Sequence, residues 1–232
     1  IRQMVNGRMK DVLVEFDPNG ALATTYHGHG SDIGFVGGLL GYEPSDPELP
    51  GSLEEAASQG INVRFAITSY GATHTNMYKV TMTDDQGQQL GVTAISIGGG
   101  MIEIQLIQRL TVNIAGDFYE TIFIFDKTTE LDLGNYINLI KEKVDAAEAV
   151  DFSCDHQQGL IDIKSSAPLP AACTAGLARE MTGLASTMEL SPVLPIKSRM
   201  NCQIPFTNAK EMLAIAKEQH LQMWEMALKY ES

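Results

Sequence analysis

The sequence predicts an α+β protein in which a mostly antiparallel sheet is followed by a ferredoxin-like unit of order βαββαβ. Two observations predict this fold class. The first half is rich in short apolar runs separated by turn residues, which is typical of strands. In the second half, strand-like runs alternate with segments of helical spacing, and their order matches the ferredoxin-like arrangement.

The first half contains five strand candidates and two helix candidates. Turn signals at 17–20 and 84–87 divide several of them. The small and apolar residues of the first helix indicate close packing on a sheet. The predicted strands are 11–16, 62–68, 77–83, 90–97 and 101–110, and the predicted helices are 31–41 and 53–58.

The second half supplies the elements of the βαββαβ unit. A last segment, 205–232, has helical spacing and begins with Asn208 and Glu211 at capping-box spacing. We therefore expect three regions: a β domain over 1–112, a ferredoxin-like domain over 113–198, and a linker with a helix over 199–232. In the second region the predicted strands are 121–125, 150–153, 160–164 and 189–196, and the predicted helices are 133–144 and 171–181.

Composition excludes several classes of protein. The 232 residues carry a formal net charge of −13 with only 16 Lys and Arg, which disfavours nucleic-acid binding. No apolar run approaches the ~18 residues of a membrane-spanning helix. The odd count of cysteines, at Cys154, Cys173 and Cys202, disfavours a disulfide framework. We expect a soluble, cytoplasmic protein that binds neither nucleic acid nor membrane.

The segment Ser69-Tyr70-Gly71-Ala72-Thr73-His74-Thr75-Asn76 is the strongest candidate for a functional site. It places an imidazole and a carboxamide two residues apart on a loop of small residues, directly after an apolar strand. His74 and Asn76 could therefore orient a small polar ligand by hydrogen bonds. The alternative is that His74 only caps backbone groups of the loop.

Two further motifs have a functional and a structural interpretation. His27 and His29 could bind a metal only with a third ligand from elsewhere, so a structural role is favoured. Gly98, Gly99 and Gly100 could form a backbone nest for a carboxylate or phosphate, or a plain turn between strands.

Three blocks of the first half together resemble the β domain of iron–sulfur L-serine dehydratases. They are His27-Gly28-His29-Gly30-Ser31-Asp32 leading into Gly37-Gly38-Leu39-Leu40-Gly41, the His74-Thr75-Asn76 loop, and Ser96-Ile97-Gly98-Gly99-Gly100. The resemblance implies that His74 and Asn76 are catalytic residues that face the substrate. It also implies ligand binding by Ser31, Asp32 and the three glycines, with L-serine or another small amino acid as the ligand.

The second half resembles known modules less specifically. Its element order is similar to that of ACT regulatory domains, and Asp132-Leu133-Gly134-Asn135 is similar to their D-x-G turn, which implies ligand binding at Gly134. The segment 205–232 resembles the first helix of the catalytic α domain of the same dehydratases. We therefore expect the chain to be a fragment of a longer enzyme.

For the intact enzyme the resemblance implies β-elimination of water from L-serine, giving pyruvate and ammonia. A 4Fe–4S cluster would be held by the catalytic α domain, and a homodimer is expected. No cofactor is expected in this chain, because its cysteines are 19 and 29 residues apart and lack the close spacing of cluster ligands. The chain alone is then inactive. Two alternatives remain open: a stand-alone amino-acid-binding regulatory module, and a dimerisation scaffold.

Overall fold

The computed structural model describes residues 1–5, 7–126, 133–193, 205–206 and 208–231. The chain divides into two compact units, Ile1–Pro195 and Ile196–Ser232. The first unit contains two sheets, and the described part of the second unit contains two helices.

The larger sheet of the first unit has the strand order β2-β1-β3-β4-β5-β6. Strands β1 and β2 are parallel, and every other neighbouring pair is antiparallel. The prediction of a mostly antiparallel sheet is therefore confirmed. The six strands are β1 (Met9–Phe16), β2 (Asn62–Ile67), β3 (Met77–Asp84), β4 (Gln89–Gly98), β5 (Met101–Ile107) and β6 (Leu110–Ile114).

Helices α1 (Leu22–Thr25), α2 (Ser31–Leu40) and α3 (Ser52–Ser58) lie between β1 and β2 in the chain, with short 3-10 helices at Arg2–Met4 and Leu49–Gly51. The apolar side chains of β1 and β3 alternate in burial, and the buried set packs with side chains of α1 and α2. Gly37 permits a close approach, because a Cβ there would lie 2.2 Å from the Leu49 side chain. The predicted helix on the sheet is confirmed.

The smaller sheet has the order β10-β7-β9-β8, and all of its neighbouring strands are antiparallel. The chain order βαββαβ and this sheet confirm the predicted ferredoxin-like arrangement. Its elements are β7 (Tyr119–Asp126), α4 (Leu133–Lys143), β8 (Ala147–Cys154), β9 (Gln158–Ser165), α5 (Ala171–Glu180) and β10 (Leu184–Leu190).

Both faces of the smaller sheet are covered. Phe123 and Phe125 belong to a core that includes residues of α4 and α5. Ile122 and Leu160, on the opposite face, belong to the core of the larger sheet. The smaller sheet is therefore a middle layer, which explains why its central strands are buried on both sides.

Three predicted elements were wrong in detail. The single strand expected over 101–110 is a hairpin, because Gln108 has a φ of +56° and reverses the chain between β5 and β6. The strand expected over 189–196 begins earlier, at Leu184, and ends at Leu190; residues 194–196 of that prediction lie outside the described residues.

The single helix expected over 205–232 is instead two helices. They are α6 (Ala209–Gln219) and α7 (Met223–Glu231), and the first ends at His220, which has a φ of +52°. The predicted capping box is present: the Asn208 side chain accepts the Glu211 N–H at 3.0 Å and donates to the Glu211 carboxylate at 2.8 Å. The helix start was thus readable from sequence, and its end was not.

The expected boundary between 112 and 113 lies within β6, and the boundary between 198 and 199 lies outside the described residues. The three-region division stays a prediction. In the part of the chain that the structure describes, no helix is long and apolar enough to cross a membrane.

Two phenylalanines of the smaller sheet test this layered packing. Phe123 is fully buried, whereas Phe152 is 60% exposed. We expect Phe123→Ala to lower the free energy of unfolding by about 3–5 kcal/mol, because it removes a large buried side chain and leaves a cavity. Phe152→Ala, the matched control, should change it by less than about 1 kcal/mol. Equal effects in urea unfolding would contradict the assignment of the middle layer.

Candidate functional site

A buried aspartate anchors the loop that carries His74 and Asn76. Asp17 follows β1 and is 1% exposed. One of its oxygens, Oδ2, accepts the N–H groups of Tyr70, Gly71 and Ala72 at 3.0, 2.9 and 3.2 Å. The other, Oδ1, accepts the Asn19 N–H at 3.0 Å. These backbone hydrogen bonds lower the pKa of Asp17 to about 2, and the bond from Asn19 has the largest effect.

The far end of the same loop is also attached. The Thr75 carbonyl accepts the Ala21 N–H at 2.8 Å, and the Asn76 carbonyl accepts the Ser96 N–H at 3.0 Å. Gly20 makes the first contact possible, because a Cβ at this position would lie 2.9 Å from the Thr75 carbonyl oxygen. The loop from 69 to 76 is therefore fixed to the turn after β1 and to β4.

His74 and Asn76 contact each other through the backbone of Asn76. The Asn76 N–H donates to His74 Nδ1 at 3.1 Å, while the Met77 N–H donates to the His74 carbonyl at 3.1 Å. Since Nδ1 accepts a hydrogen bond, the neutral ring carries its hydrogen on Nε2. The ring is exposed. In this form His74 can donate a hydrogen bond from Nε2 to an external ligand.

An open groove of about 570 Å³ lies against this loop, on the face of the larger sheet opposite its core. Its volume falls in the range of small-molecule sites. The Lys79 ammonium lies 4.2 Å from the centre of the Tyr70 ring. The groove is lined by Tyr70, Gly71, Thr73, Met77, Lys79, Thr93, Glu103, Gln105, Leu106, Thr111, Val112 and Asn113.

Lys79 and Glu103 give the groove one charge of each sign. In the strand register Lys79 faces Thr93 and Glu103 faces Ile95, so β4 separates the two charged residues. Their strands are two spacings apart, roughly 10 Å. Among the described residues no ion pair joins Lys79 to Glu103. The groove is therefore suited to a small ligand that carries both charges.

The structure places the remaining predicted residues at separate positions. Ser31 and Asp32 begin α2, where Asp32 is 4% exposed and its Oδ2 lies 2.6 Å from His27 Nδ1. Its other oxygen, Oδ1, accepts the Ile33 N–H at 2.9 Å. The carboxylate of Asp32 is therefore engaged within the protein. Gly134 is exposed in α4, beside the smaller sheet.

Gly98, Gly99 and Gly100 form the tight turn between β4 and β5. All three have positive φ, and Gly98 faces Met101 in the strand register. Positive φ at Gly99 and Gly100 is the geometry of a two-residue hairpin turn. Ser96 of the same strand hydrogen-bonds to Asn76, so the glycine turn and the His74 loop share one end of the sheet.

Sequence reasoning missed Asp17, Lys79 and Glu103. Asp17 was assigned only to a turn. Lys79 alternates with the buried residues of β3, so its outward direction was readable once the strand was predicted. Glu103 lies between Ile102 and Ile104 of β5, and the start of that strand was predicted correctly, so its outward direction was readable in the same way.

The described residues do not fit an iron–sulfur cluster. Within them no three His, Cys, Asp or Glu side chains come together as a metal site. Cys154 is exposed on β8 and Cys173 lies on α5, while Cys202 lies outside the described residues. The expectation that this chain holds no cofactor stays a prediction.

The Asp17 anchor gives a first test of the site. Because the folded-state pKa is below the ordinary value of 3.8, its stabilisation is complete above that pH and is lost as the pH falls toward about 2. We expect Asp17→Asn to accelerate hydrogen exchange at Tyr70, Gly71 and Ala72, because the amide is a weaker acceptor than the carboxylate.

The matched control is Asp85→Asn, at an exposed aspartate in the turn after β3. It should leave exchange at residues 70–72 unchanged. Unchanged protection of these amides in Asp17→Asn would contradict the anchoring role.

Comparison with known proteins supports the resemblance seen in the motifs. The chain is 33% identical over 116 residues to the "Probable L-serine dehydratase, beta chain" of Bacillus subtilis, covering 50% of this chain and 51% of that protein. It is 38% identical over 112 residues to the "L-serine dehydratase, beta chain" of Peptoniphilus asaccharolyticus, covering 48% and 50%. No protein-family profile matches the chain. The chain spans about half the length of these curated relatives, and over that shared segment it is similar to the β chains of L-serine dehydratases.

Proposed function

We propose that the chain is part of an L-serine dehydratase, an ammonia-lyase that converts L-serine to pyruvate and ammonia. The observation that carries the proposal is the similarity to two proteins named as β chains of this enzyme, over about half of the chain. The anchored His74 loop is consistent with it, because a rigid loop with an outward hydrogen-bond donor is what substrate orientation needs.

In this proposal the catalytic centre is divided between two parts of the enzyme. A catalytic α domain or α chain holds the 4Fe–4S cluster, and this chain contributes the loop that faces the substrate. The β-chain names of the relatives support such a division. The described residues of this chain do not fit the cluster.

The role of the loop in this chain is to orient the substrate. His74 Nε2–H can donate to the substrate carboxylate, while Nδ1 stays occupied by the Asn76 N–H. The half-buried Asn76 carboxamide offers both a donor and an acceptor. In the neutral tautomer His74 has no free acceptor nitrogen, so the structure favours hydrogen bonding by His74 over proton abstraction.

Kinetics of the complete enzyme test this role. We expect His74→Ala and Asn76→Ala each to lower kcat/KM, by an amount that corresponds to a loss of about 1.5–4 kcal/mol of transition-state stabilisation. The cluster absorption should be unchanged. The control is His156→Ala, at an exposed histidine in the turn between β8 and β9. Kinetics like those of the unmodified enzyme in both loop variants would exclude the orienting role.

The groove beside the loop supports a second proposed role, the binding of a regulatory amino acid. An α-amino acid carries a carboxylate and an ammonium group, which are complementary to Lys79 and Glu103. The hydroxyl groups of Thr93 and Thr111, which also line the groove, add polar partners.

Regulation by the ferredoxin-like unit through Gly134, as in ACT domains, is a separate proposal that rests on element order.

Thermal unfolding of this chain tests the groove. At a ligand concentration of 100 Kd, binding stabilises the folded state by about 2.7 kcal/mol. We therefore expect L-serine to raise the Tm more than D-serine does. The rise should be lost in Lys79→Met and in Glu103→Gln but kept in Lys141→Met, which changes an exposed lysine of α4.

Variants also separate the candidate sites. If Gly134→Val abolishes the shift and the groove variants keep it, the ligand binds at the ferredoxin-like unit. If no proteinogenic amino acid shifts the Tm at millimolar concentration, both regulatory sites are excluded for this chain.

The groove also favours one alternative function, a stand-alone amino-acid-binding module without catalysis. Assay of the chain together with a dehydratase α chain distinguishes the two. L-serine deamination that depends on His74 supports the dehydratase, whereas ligand binding without deamination in any combination supports the module.

A further inference from the structure

A group of three charged side chains is buried on the face of the smaller sheet that joins the core of the larger sheet. Glu120 of β7 is 1% exposed, and Asp162 and Lys164 of β9 are 1% and 8% exposed. Glu120 faces Lys164 in the strand register, and Asp162 faces Ile122. The charged groups therefore lie side by side next to apolar core residues.

Lys164 is the donor at the centre of this group. Its ammonium donates to the two carboxylate oxygens of Glu120 at 3.0 and 3.1 Å and to the Asn113 carbonyl of β6 at 2.7 Å. Three contacts match the three hydrogens of an ammonium group. The contact to Asn113 connects the smaller sheet to the last strand of the larger one.

Asp162 makes an ion pair but, among the described residues, no hydrogen bond. Its Oδ2 lies 3.2 Å from Lys164 Nζ, yet within the described residues neither buried carboxylate oxygen of Asp162 has a hydrogen-bond partner. A buried carboxylate that accepts no hydrogen bond is costly, and a proton shared with a neighbouring carboxyl group removes the cost. Glu120 and Asp162 both contact the Lys164 ammonium, at 3.0 and 3.2 Å, so the two carboxyl groups lie at the same ammonium group.

Among the described residues, the strand neighbours of the group add no second cation. The residue opposite Asp162 on β8 is Asp151, another acid, and the residue opposite Glu120 on β10 is Leu190. Strand β6 contributes a carbonyl oxygen. One ammonium therefore faces two buried carboxyl groups, and the group would carry a net negative charge if both were ionised.

We propose that Glu120, Asp162 and Lys164 form a proton-holding joint between the two sheets, in which one carboxyl group stays protonated at neutral pH and release of that proton loosens the contact with β6. The shared proton lies between Glu120 and Asp162 and supplies the donor that Asp162 lacks. Asn113 and Thr111 of β6 also line the groove beside the His74 loop, so the joint connects the smaller sheet to the wall of that groove.

The direction of the pH effect follows from burial. Burial raises the pKa of Glu120 and of Asp162 above their usual ranges. Burial alone would lower the pKa of Lys164, but the adjacent Asp162 and Glu120 raise it, so the lysine stays charged. A carboxyl group with a raised pKa stabilises the folded state, and this stabilisation is complete when the pH is below the ordinary pKa of the group. It is lost as the pH rises through the raised pKa.

Infrared spectroscopy and urea unfolding of this chain test the joint. We expect the carbonyl stretch of a buried protonated carboxylic acid at neutral pH and its loss in both Glu120→Gln and Asp162→Asn. Each variant leaves one carboxylate to balance Lys164, so neither needs the proton. The urea concentration at the unfolding midpoint of the unmodified chain should decrease as the pH rises from about 5 to about 9. Both variants should reduce this decrease.

The matched control is Glu189→Gln, which changes an exposed glutamate on the neighbouring strand β10. It should keep both the infrared band and the slope of the urea midpoint with pH. The proposal is overturned if the unmodified chain lacks the band at neutral pH or if the band persists in either joint variant. The infrared measurement on the unmodified chain decides the question even if a variant fails to fold.

Discussion

The site depends on the buried carboxylate of Asp17, which accepts hydrogen bonds from four backbone N–H groups. The loop from 69 to 76 has no regular secondary structure, so its N–H groups need partners from outside the loop. Asp17 supplies them from the turn after β1. The loop is thereby attached to the sheet, and His74, Asn76 and Tyr70 keep fixed positions beside the groove.

Strand β6 has a comparable role between the two sheets. It is the edge of the larger sheet, where it pairs with β5, and hydrogen bonds on its other side lead to the smaller sheet. The Thr111 N–H donates to Ser153 Oγ at 2.9 Å, Asn113 accepts from Lys164, and Arg109, in the turn before β6, pairs with Asp155 at 2.9 Å. These contacts satisfy an edge that would otherwise expose unpaired backbone groups.

Buried carboxyl groups have opposite shifts of pKa in the two parts of the fold. Backbone donors surround Asp17 and lower its pKa, so this carboxyl group stays ionised. Glu120 and Asp162 share one lysine, and burial raises the pKa of each. The number of hydrogen-bond donors within reach, rather than burial alone, decides which form of a carboxyl group the fold stabilises. Acid would release the loop at one site, and alkali would loosen the joint at the other.

By itself the sequence determined the fold class, most of the strands and helices, the capping box at Asn208, and the resemblance to serine dehydratases. These features depend on local patterns: alternation of apolar residues, turn residues, and motifs a few residues long. The hairpin at Gln108 and the helix end at His220 were missed because a positive φ is uncommon for any residue other than glycine, even for histidine, which adopts it more often than most. Only the tertiary structure decided that Asp17 reaches residues 70–72, that Lys79 and Glu103 share a groove, and that Glu120 and Asp162 both contact the Lys164 ammonium. Each of these facts joins residues far apart in the chain, and strand register and packing bring them together.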